Sequence, residues 1–377
     1  MHMKIVIIRT HPSIIDINSY NVQEIGLARA YVSLGHTVDI VMYGGWTNTR
    51  KEKVEDGINI IFMRSIGILK NGIFPGIKRL ATKYDLIQTH EYDQITSWLL
   101  YTDRKLKSKV ILYHGPYYSS FNKGYNLRCK IADKIMLKIR NNPYVRCYTK
   151  SEAAKEFLES KGYVNVTAVG VGLDTSIWER DKDIEIHHST SKGQVGHLFT
   201  YTYVGKIEPR RNSLFLMKLM DRLLSAHNDI RCMVVGDGDI DYLNQCMSVV
   251  RKHIDSGRLI YRNKVNQTEI ASVYEESDCM LFPSIYEIFG MVLMEAMYFT
   301  VPVITSDNGG ADMLYRDGEN GLVIDSNRNG GFKLEEWMDA AERIYSDSNL
   351  RDSIRMKLSY DRYKLGWEVV AKGIIGV

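Results

Sequence analysis

The chain has no run of eighteen apolar residues, so no transmembrane helix is expected. Cysteine is sparse. Residues 129, 147, 232, 246 and 279 are odd in number and scattered, and no C-x-x-C pair occurs. That argues against a disulfide framework and a zinc site, and predicts reduced, buried thiols in a cytoplasmic protein. Charge of one sign is lacking too: a formal net charge of +4 does not by itself imply nucleic acid. No glycine fingerprint follows the first apolar run, where Thr10-His11-Pro12 stands instead, which counts against an NAD-dependent oxidoreductase. No metal-ligating cluster stands out, no period of 20–50 residues repeats, and no low-complexity tract appears. The first residues, Met1-His-Met-Lys-Ile-Val-Ile-Ile-Arg9, lack the long apolar region of a signal peptide and read as a strand.

What is present is alternation. At 377 residues the chain exceeds one ordinary core, and two domains are the natural expectation. Short apolar runs at 4–9, 37–43, 58–64, 85–89, 109–113, 144–149 and 166–169 read as strands. Amphipathic stretches such as 23–34 and 152–160 lie between them. Residues 181–197 are polar and lack periodicity, and the domain connection is placed there. The pattern then restarts, with strands at 198–204, 232–235, 259–262, 279–282, 302–305 and 321–324. Helices fill 213–226, 239–253, 267–276, 290–298, 334–346 and 350–362. Alternation of this kind predicts an α/β chain of two doubly wound, Rossmann-like domains, with ligands at the strand C-termini around a central cleft.

The most informative segment is Pro283-Ser-Ile-Tyr-Glu287-Ile-Phe-Gly290-Met-Val-Leu-Met-Glu295-Ala-Met297. Glu295 has apolar neighbours from Met291 to Met294 and at Ala296 and Met297. A carboxylate in such a helix needs a partner, because leaving it unpaired costs several kcal/mol; a sugar diol is one candidate. Glu287 precedes the helix. Gly290 admits a ligand to the backbone, and the helix N-terminus favours an anion. Carboxylate, phosphate site and carboxylate in line suit a nucleotide-sugar. Two plainer readings stand beside this: Ser284-x-x-Glu287 matches a capping box, and Glu295 can sit in water at a domain edge.

Other constellations follow strands. Gly205-Lys206-Ile-Glu-Pro209-Arg210-Arg211-Asn212 is either a diphosphate clamp or a solvated basic turn. Gly236-Asp237-Gly238 is a tight turn too short for a dinucleotide fingerprint. His114-Gly115-Pro116-Tyr117-Tyr118 and His90 each end a strand, and one of the two histidines can be merely structural. Asp307-Asn-Gly-Gly-Ala-Asp312 is a turn opening a helix, either against a ligand or not. Residues 123–140 carry six basic residues and one acid, with Ile131, Ile135, Met136 and Ile139 at helical spacing. This is either a core helix with a solvated basic face or a helix lying on an anionic membrane surface.

Taken together these segments resemble family 4 of the retaining glycosyltransferases, which have the GT-B fold. Glu287 to Glu295 matches that family's E-x7-E motif, including the Phe-Gly after the first Glu. Gly205-Lys206…Arg211 resembles its diphosphate clamp, Val235-Gly236-Asp237-Gly238 its V-G-x-G turn, and Gly170-Val-Gly-Leu-Asp174…Trp178 the element before its linker. The likeness spans most of the chain and is strongest over 200–325. It implies an acceptor-binding domain at 1–180, joined by a C-terminal helix at about 363–377, and a donor-binding domain at 198–362. Glu287 would hold donor-sugar hydroxyls and Glu295 the ribose diol. Lys206 and Arg211 would neutralise the departing diphosphate, and His114 would touch the donor sugar; these last three with Glu287 make the catalytic set. Gly205, Gly236, Val265, Phe289, Gly290, Met291 and Val292 complete the donor site. Asn18, Ser19, Tyr20, His90, Tyr117 and Tyr118 are assigned to the acceptor.

The resemblance implies a nucleotide-sugar donor, UDP-linked by prevalence, and a saccharide or lipid-linked acceptor in glycan assembly. No metal-ligating cluster stands out, so no metal or cofactor is expected, nor a nucleic-acid partner; the basic stretches 123–140 and Lys70…Lys78-Arg79…Lys83 suit a lipid-linked or membrane-surface acceptor, and so a cytoplasmic protein at the inner face of the membrane. Two departures are specific to this chain. The family's Gly-Gly in the first strand-to-helix loop is replaced by Asp16-Ile-Asn18-Ser19-Tyr20-Asn21, and Lys206 stands where Arg is common. A nucleotide-sugar epimerase and a non-catalytic GT-B-like binding protein are the rival readings.

Overall fold

The computed structural model describes residues 2–17, 19–135, 145–179 and 198–376. The chain divides into two compact units, 1–174 with 366–377, and 175–365. Each is built on a twisted sheet whose central strands are apolar along their whole length, because helices cover both faces.

In the first unit the strands are β1 (Lys4–Ile8), β2 (Thr37–Tyr43), β3 (Arg50–Glu55), β4 (Ile58–Met63), β5 (Ile66–Ile68), β6 (Asn71–Ile73), β7 (Leu86–His90), β8 (Val110–His114), β9 (Arg146–Thr149) and β10 (Val166–Ala168). The helices are α1 (Gln23–Ser33), α2 (Ile77–Ala81), α3 (Ile95–Tyr101), α4 (Lys123–Ile135) and α5 (Glu152–Ser160). The main sheet runs β10-β9-β8-β7-β1-β2-β4-β3, and only the β3–β4 pairing is antiparallel among the described residues. Strand order reverses between β1 and β7. β3 is unannounced by sequence pattern: Arg50-Lys-Glu-Lys-Val-Glu55 is mostly exposed and charged, as suits an edge strand that must not pair with another chain. The β5–β6 hairpin was also unexpected, since three-residue strands leave too little periodicity to read.

The second unit opens with α6 (Ser176–Glu179) and carries β11 (Phe199–Val204), β12 (Ile230–Val235), β13 (Leu259–Arg262), β14 (Cys279–Phe282), β15 (Val303–Ser306) and β16 (Leu322–Ile324). Its described helices are α7 (Ser213–Ala226), α8 (Ile240–Val249), α9 (Arg251–Asp255), α10 (Gln267–Glu275), α11 (Met291–Tyr298), α12 (Ala311–Leu314), α13 (Leu334–Ser346) and α14 (Ser348–Asp361). The sheet is parallel throughout, in the order β13-β12-β11-β14-β15-β16, and reverses between β11 and β14. β11 is buried at every position, as a central parallel strand must be. One helix was expected over 239–253. The chain turns instead at fully buried Val250, and His253 comes within 3.0 Å of Asp221.

Two details differ from the expected domain boundaries. The first unit ends at Asp174, and Trp178 belongs to the second, where its indole donates to the Gln267 carbonyl at 3.2 Å and packs on Tyr298 and Phe299. The expected linker, 181–197, lies outside the described residues. The last helix, α15 (Trp367–Ile375), belongs to the first unit and packs on α1. Trp367 lies on Gly26 and Gly172 so closely that a Cβ at either would fall 2.2 or 2.4 Å from its ring, and its Nε1 donates to Asn21 Oδ1 at 3.2 Å. Only residues without a side chain leave room for that indole. All five cysteines are free and buried, and burial pushes the Cys129 and Cys246 thiols up to about 11.

Candidate functional site

In the second unit the loops after β11 and β14 meet where the strand order reverses, the place where open α/β sheets bind ligands. The loop after β11 continues the sheet's parallel pairing past the strand end. Ile207 N donates to Asp237 O at 2.7 Å, and Ile207 bridges to Gly238. Glycine is required for this approach. A Cβ at Gly236 would lie 1.9 Å from Gly205 O, and Gly236 itself has φ +148°. The Gly236-Asp-Gly238 turn is thus explained by backbone against backbone. Tyr203 OH holds the loop by donating to Lys206 O at 2.7 Å, while the Lys206 side chain is exposed and makes no ion pair among the described residues.

Arg211, on the same loop, points into the crevice. Its Nη1 lies 2.7 Å from Glu287 Oε1, and its guanidinium packs over the Phe282 ring at 5.1 Å. Glu287 is 3% exposed and also accepts from Ser284 Oγ at 2.7 Å and Arg210 Nη1 at 3.3 Å. This removes the capping-box reading, because the helix begins at Met291 and Ser284 binds the carboxylate rather than a helix N–H. Arg210 was not singled out from sequence. It donates to Tyr286 O at 2.8 Å and to Glu208 Oε1 at 2.7 Å, and so ties the two loops together. Nothing in its sequence neighbourhood distinguishes it from Arg211; the turn Pro209–Arg211 brings both guanidinium groups to Glu287, Arg211 the nearer.

Gly290 has φ +78° and precedes α11 directly. Met291 and Val292, half-buried, form its first turn, where the helix dipole favours an anion. Phe289 is buried, and its carbonyl is so near Gly310 that a Cβ there would lie 1.6 Å away. The 307–312 turn therefore supports the 289–290 backbone. Its Asp307 carboxylate accepts from the N–H groups of Ser326, Asn327 and Arg328 at 2.6–3.0 Å, a structural use. Glu295, one turn into α11, is 4% exposed, so the domain-edge reading fails. Its Oε2 accepts from Tyr274 OH at 2.8 Å, and Tyr274 stacks on Phe299. Tyr274 on α10 is a second residue that sequence reading missed. Val265, half-buried, lies between β13 and α10.

In the first unit two buried polar clusters gather after β1, β7 and β8. Arg9 pairs with Glu24 at 2.7 Å, and Glu24 lies 3.6 Å from His90 Nδ1. Thr10 Oγ1 donates to the His90 carbonyl at 3.0 Å. Burial pushes the His90 imidazole down to about 4, against the pull of Glu24. Next to it, His114 Nδ1 lies 2.7 Å from Glu91 Oε2, which also accepts from Gly115 N at 3.2 Å; Lys150 stands 3.9 Å from Oε1. Burial alone would raise the Glu91 carboxyl, but His114, Lys150 and His90 outweigh it and hold it down at about 2. Glu91 has φ +59°, a strained setting for a residue with a side chain.

The His114 ring is buried, stacked on Phe157 and edge-on to Tyr92, and beside it stand Glu91 and Lys150. Neither was read from sequence, although Glu91 is the residue after His90. Tyr117 is half-buried against the core. Tyr118 is 43% exposed, and its hydroxyl accepts from Lys161 at 2.5 Å. Ser19 is exposed and Tyr20 half-buried; Asn18 lies outside the described residues.

Residues 188–357 match the family described as glycosyl transferases group 1. An uncharacterised glycosyltransferase of Methanocaldococcus jannaschii is 25% identical, with 93% of this chain and 92% of that one aligned. A D-inositol 3-phosphate glycosyltransferase of Rhodococcus opacus is 26% identical over a shorter stretch, which takes in 46% of this chain and 39% of the relative. Among solved structures, a sucrose-phosphate synthase of Thermosynechococcus elongatus superposes with TM-score 0.70 at 16% identity, covering 99% of this chain and 97% of the other. Anabaena HepE in complex with UDP gives TM-score 0.70 at 14% identity, covering 99% of each. At these identities the structures show a shared fold, GT-B.

Proposed function

We propose that this chain, a glycosyltransferase of the GT-B fold whose second unit is of the group 1 kind, moves a sugar from a nucleotide-sugar to a hydroxyl of a saccharide or lipid-linked saccharide, with retention at the anomeric carbon. The observation that carries the reading is the Glu287–Arg211 pair beside the N-terminus of α11, with Glu295 buried one turn further on. Glu287 holds donor-sugar hydroxyls and Glu295 the ribose diol. Arg211, Lys206 and the first turn of α11 meet the diphosphate as its bond to the anomeric carbon breaks and negative charge grows on it. Preorganised donors of this kind are each worth roughly 2.7–4 kcal/mol of barrier.

The acceptor hydroxyl attacks the face that the diphosphate leaves, and its proton passes to a diphosphate oxygen, so no glycosyl-enzyme adduct forms. With two side-chain cations and a helix dipole on the leaving group, no metal or cofactor is needed, and turnover should persist in a chelator. UDP is the expected nucleotide: Anabaena HepE, of the same fold, is solved with UDP. Acceptor residues belong to the first unit, around Ser19, Tyr20, His90, Tyr117 and Tyr118.

The test is calorimetry with UDP, GDP and TDP and their sugars, without added metal, on the native chain and on Glu295→Ala and Lys206→Ala. One nucleotide bound tightly and weakened in both variants supports the reading. Binding by none would remove it. Conversion of a donor without any acceptor would favour an epimerase instead.

A further inference from the structure

In the second unit α14 turns one side inward. Ile354, Leu358 and Asp361 are buried, and the helix packs on α11 and α13. Arg351 and Arg355 serve the same side. Arg351 donates to the carbonyls of Ile344 and Tyr345 at 2.6 Å, and Arg355 stands 3.7 Å from buried Asp278. A helix held on one side in this way normally shows a polar face on the other. The centre of the outer face of α14 is apolar and aromatic instead.

Met356, Tyr360 and Tyr363 stand there along one stripe, 61%, 66% and 77% exposed. Tyr363 lies in the tighter turn Arg362–Lys364 that continues the helix, with the Arg362 guanidinium 5.3 Å from the centre of its ring. One exposed tyrosine needs no explanation, but large side chains gathered in a stripe do. Methionine, tyrosine and arginine are enriched at the centres of protein interfaces, and lysine and the acids are depleted there. In this stripe the free-standing charges are at the ends: Asp352 is 76% and Lys364 72% exposed.

The order of residues along the stripe identifies its partner. A two-fold axis sets residue i of one copy against residue j of the other, and j against i. With that axis level with Leu358, antiparallel helices oppose Met356 to the partner's Tyr360, and exposed Ser353 to the partner's Tyr363. Asp352 then meets the partner's Lys364. Every opposition occurs twice, so both ends are matched in charge and the bulkiest side chain faces one of the smallest. Parallel helices would set acid on acid and lysine on lysine. Asp352 and Lys364 each have a neighbour within the helix already, Arg355 at 3.4 Å and Asp361 at 2.9 Å. Exposed pairs of that kind contribute little, and an ammonium with its several donors can bridge two carboxylates.

We propose that the outer face of α14 joins two copies of this chain, packed antiparallel through Met356, Tyr360 and Tyr363 with Asp352–Lys364 pairs at both ends. The proposal is independent of the transferase reading. A single helix pair buries less than the roughly 800 Å² per partner of a standard interface. The dimer should therefore be weak, dissociating at about 10–100 µM.

The experiment is sedimentation velocity on the full chain from about 2 to 300 µM, which spans that range. The mean mass should rise from one copy toward two. Met356→Asp and Tyr360→Asp should each weaken association by about tenfold or more. Should either fail to fold, Tyr363→Ser, at the most exposed of the three positions, reads the same stripe. The decisive variants are Asp352→Lys and Lys364→Asp. Each alone puts like charges at both ends of its own dimer and should weaken it by about fivefold or more. Mixed in equal amounts, the two put opposite charges at both ends, and association should return to near native strength. That recovery also shows that both variants are folded.

A native chain that stays a single copy through the whole range overturns the proposal. So does a dimer that the stripe variants leave unchanged, since its contact then lies elsewhere. A mixture that associates no better than either charge variant alone overturns the antiparallel pairing.

Discussion

Arg211 and Glu287 are joined at 2.7 Å across the two loops that flank the strand reversal of the second unit, a cation from one side of the crevice and a carboxylate from the other. Neither is solvated: their side chains are 14% and 4% exposed. Removing one partner of such a pair leaves the other uncompensated. Arg211→Ala should lower kcat about a hundred- to a thousand-fold, as loss of one donor to a leaving group does. Arg211→Lys should recover only part, because a point charge cannot replace the fork. Steady-state rates at saturating donor decide this; rates within threefold of native in Arg211→Ala would assign the pair to stability alone.

Glu295 and Tyr274 separate a ligand role from a packing role. Tyr274→Phe deletes the hydroxyl that donates to Glu295 Oε2 and should cost about 1–3 kcal/mol of stability through the carboxylate it leaves less satisfied. Glu295→Ala should cost nucleotide affinity as well, by about tenfold or more. Urea unfolding beside nucleotide calorimetry on the two variants distinguishes them. Equal loss of nucleotide affinity in both would show that the tyrosine, and not the carboxylate alone, makes the site.

Gly172→Ala tests how the last helix is held. The new methyl would meet the Trp367 ring, and overpacking of this kind costs typically about 1–3 kcal/mol. Stability should fall and the Trp367 environment change, visible as a shift in tryptophan emission. A variant as stable as native, with unchanged emission, would show that the helix shifts at no cost.

Acid should unfold the first unit in two steps of the same sign. His90 is held at about 4 against an ordinary 6.5, so the unfolded chain takes up its proton first and stability is lost as pH falls between those values. Glu91 is held at about 2 against an ordinary 4.5, so its stabilisation, complete above 4.5, is lost as pH falls toward 2. His90→Gln should flatten the upper limb and shrink the lower one only slightly, since His114 and Lys150 pull harder on Glu91 than His90 does. Denaturant midpoints measured between pH 7 and pH 3 give the answer, and a His90→Gln profile parallel to native would refute the assignment.

Local information carried the fold a long way. Period and run length located nearly every central strand, because a parallel strand covered on both faces must be apolar throughout; β11 and β14 are buried at every position. What escaped was made of polar or very short segments, β3 at an exposed edge and the β5–β6 hairpin, whose positions depend on a neighbour rather than on their own composition.

The site divides along the same line. The sequence by itself singled out Glu287, Gly290 and Glu295 as candidates, since a carboxylate among methionines and a glycine before a helix are local anomalies with local physical consequences. Only the tertiary structure decided that Arg211 reaches Glu287, that Tyr274 answers Glu295, that Glu91 pairs with His114, and that Trp367 requires glycine at 26 and 172. Each of those is a contact between residues far apart in the chain. Its energy depends on distance and burial, and neither quantity exists until the sheets have formed.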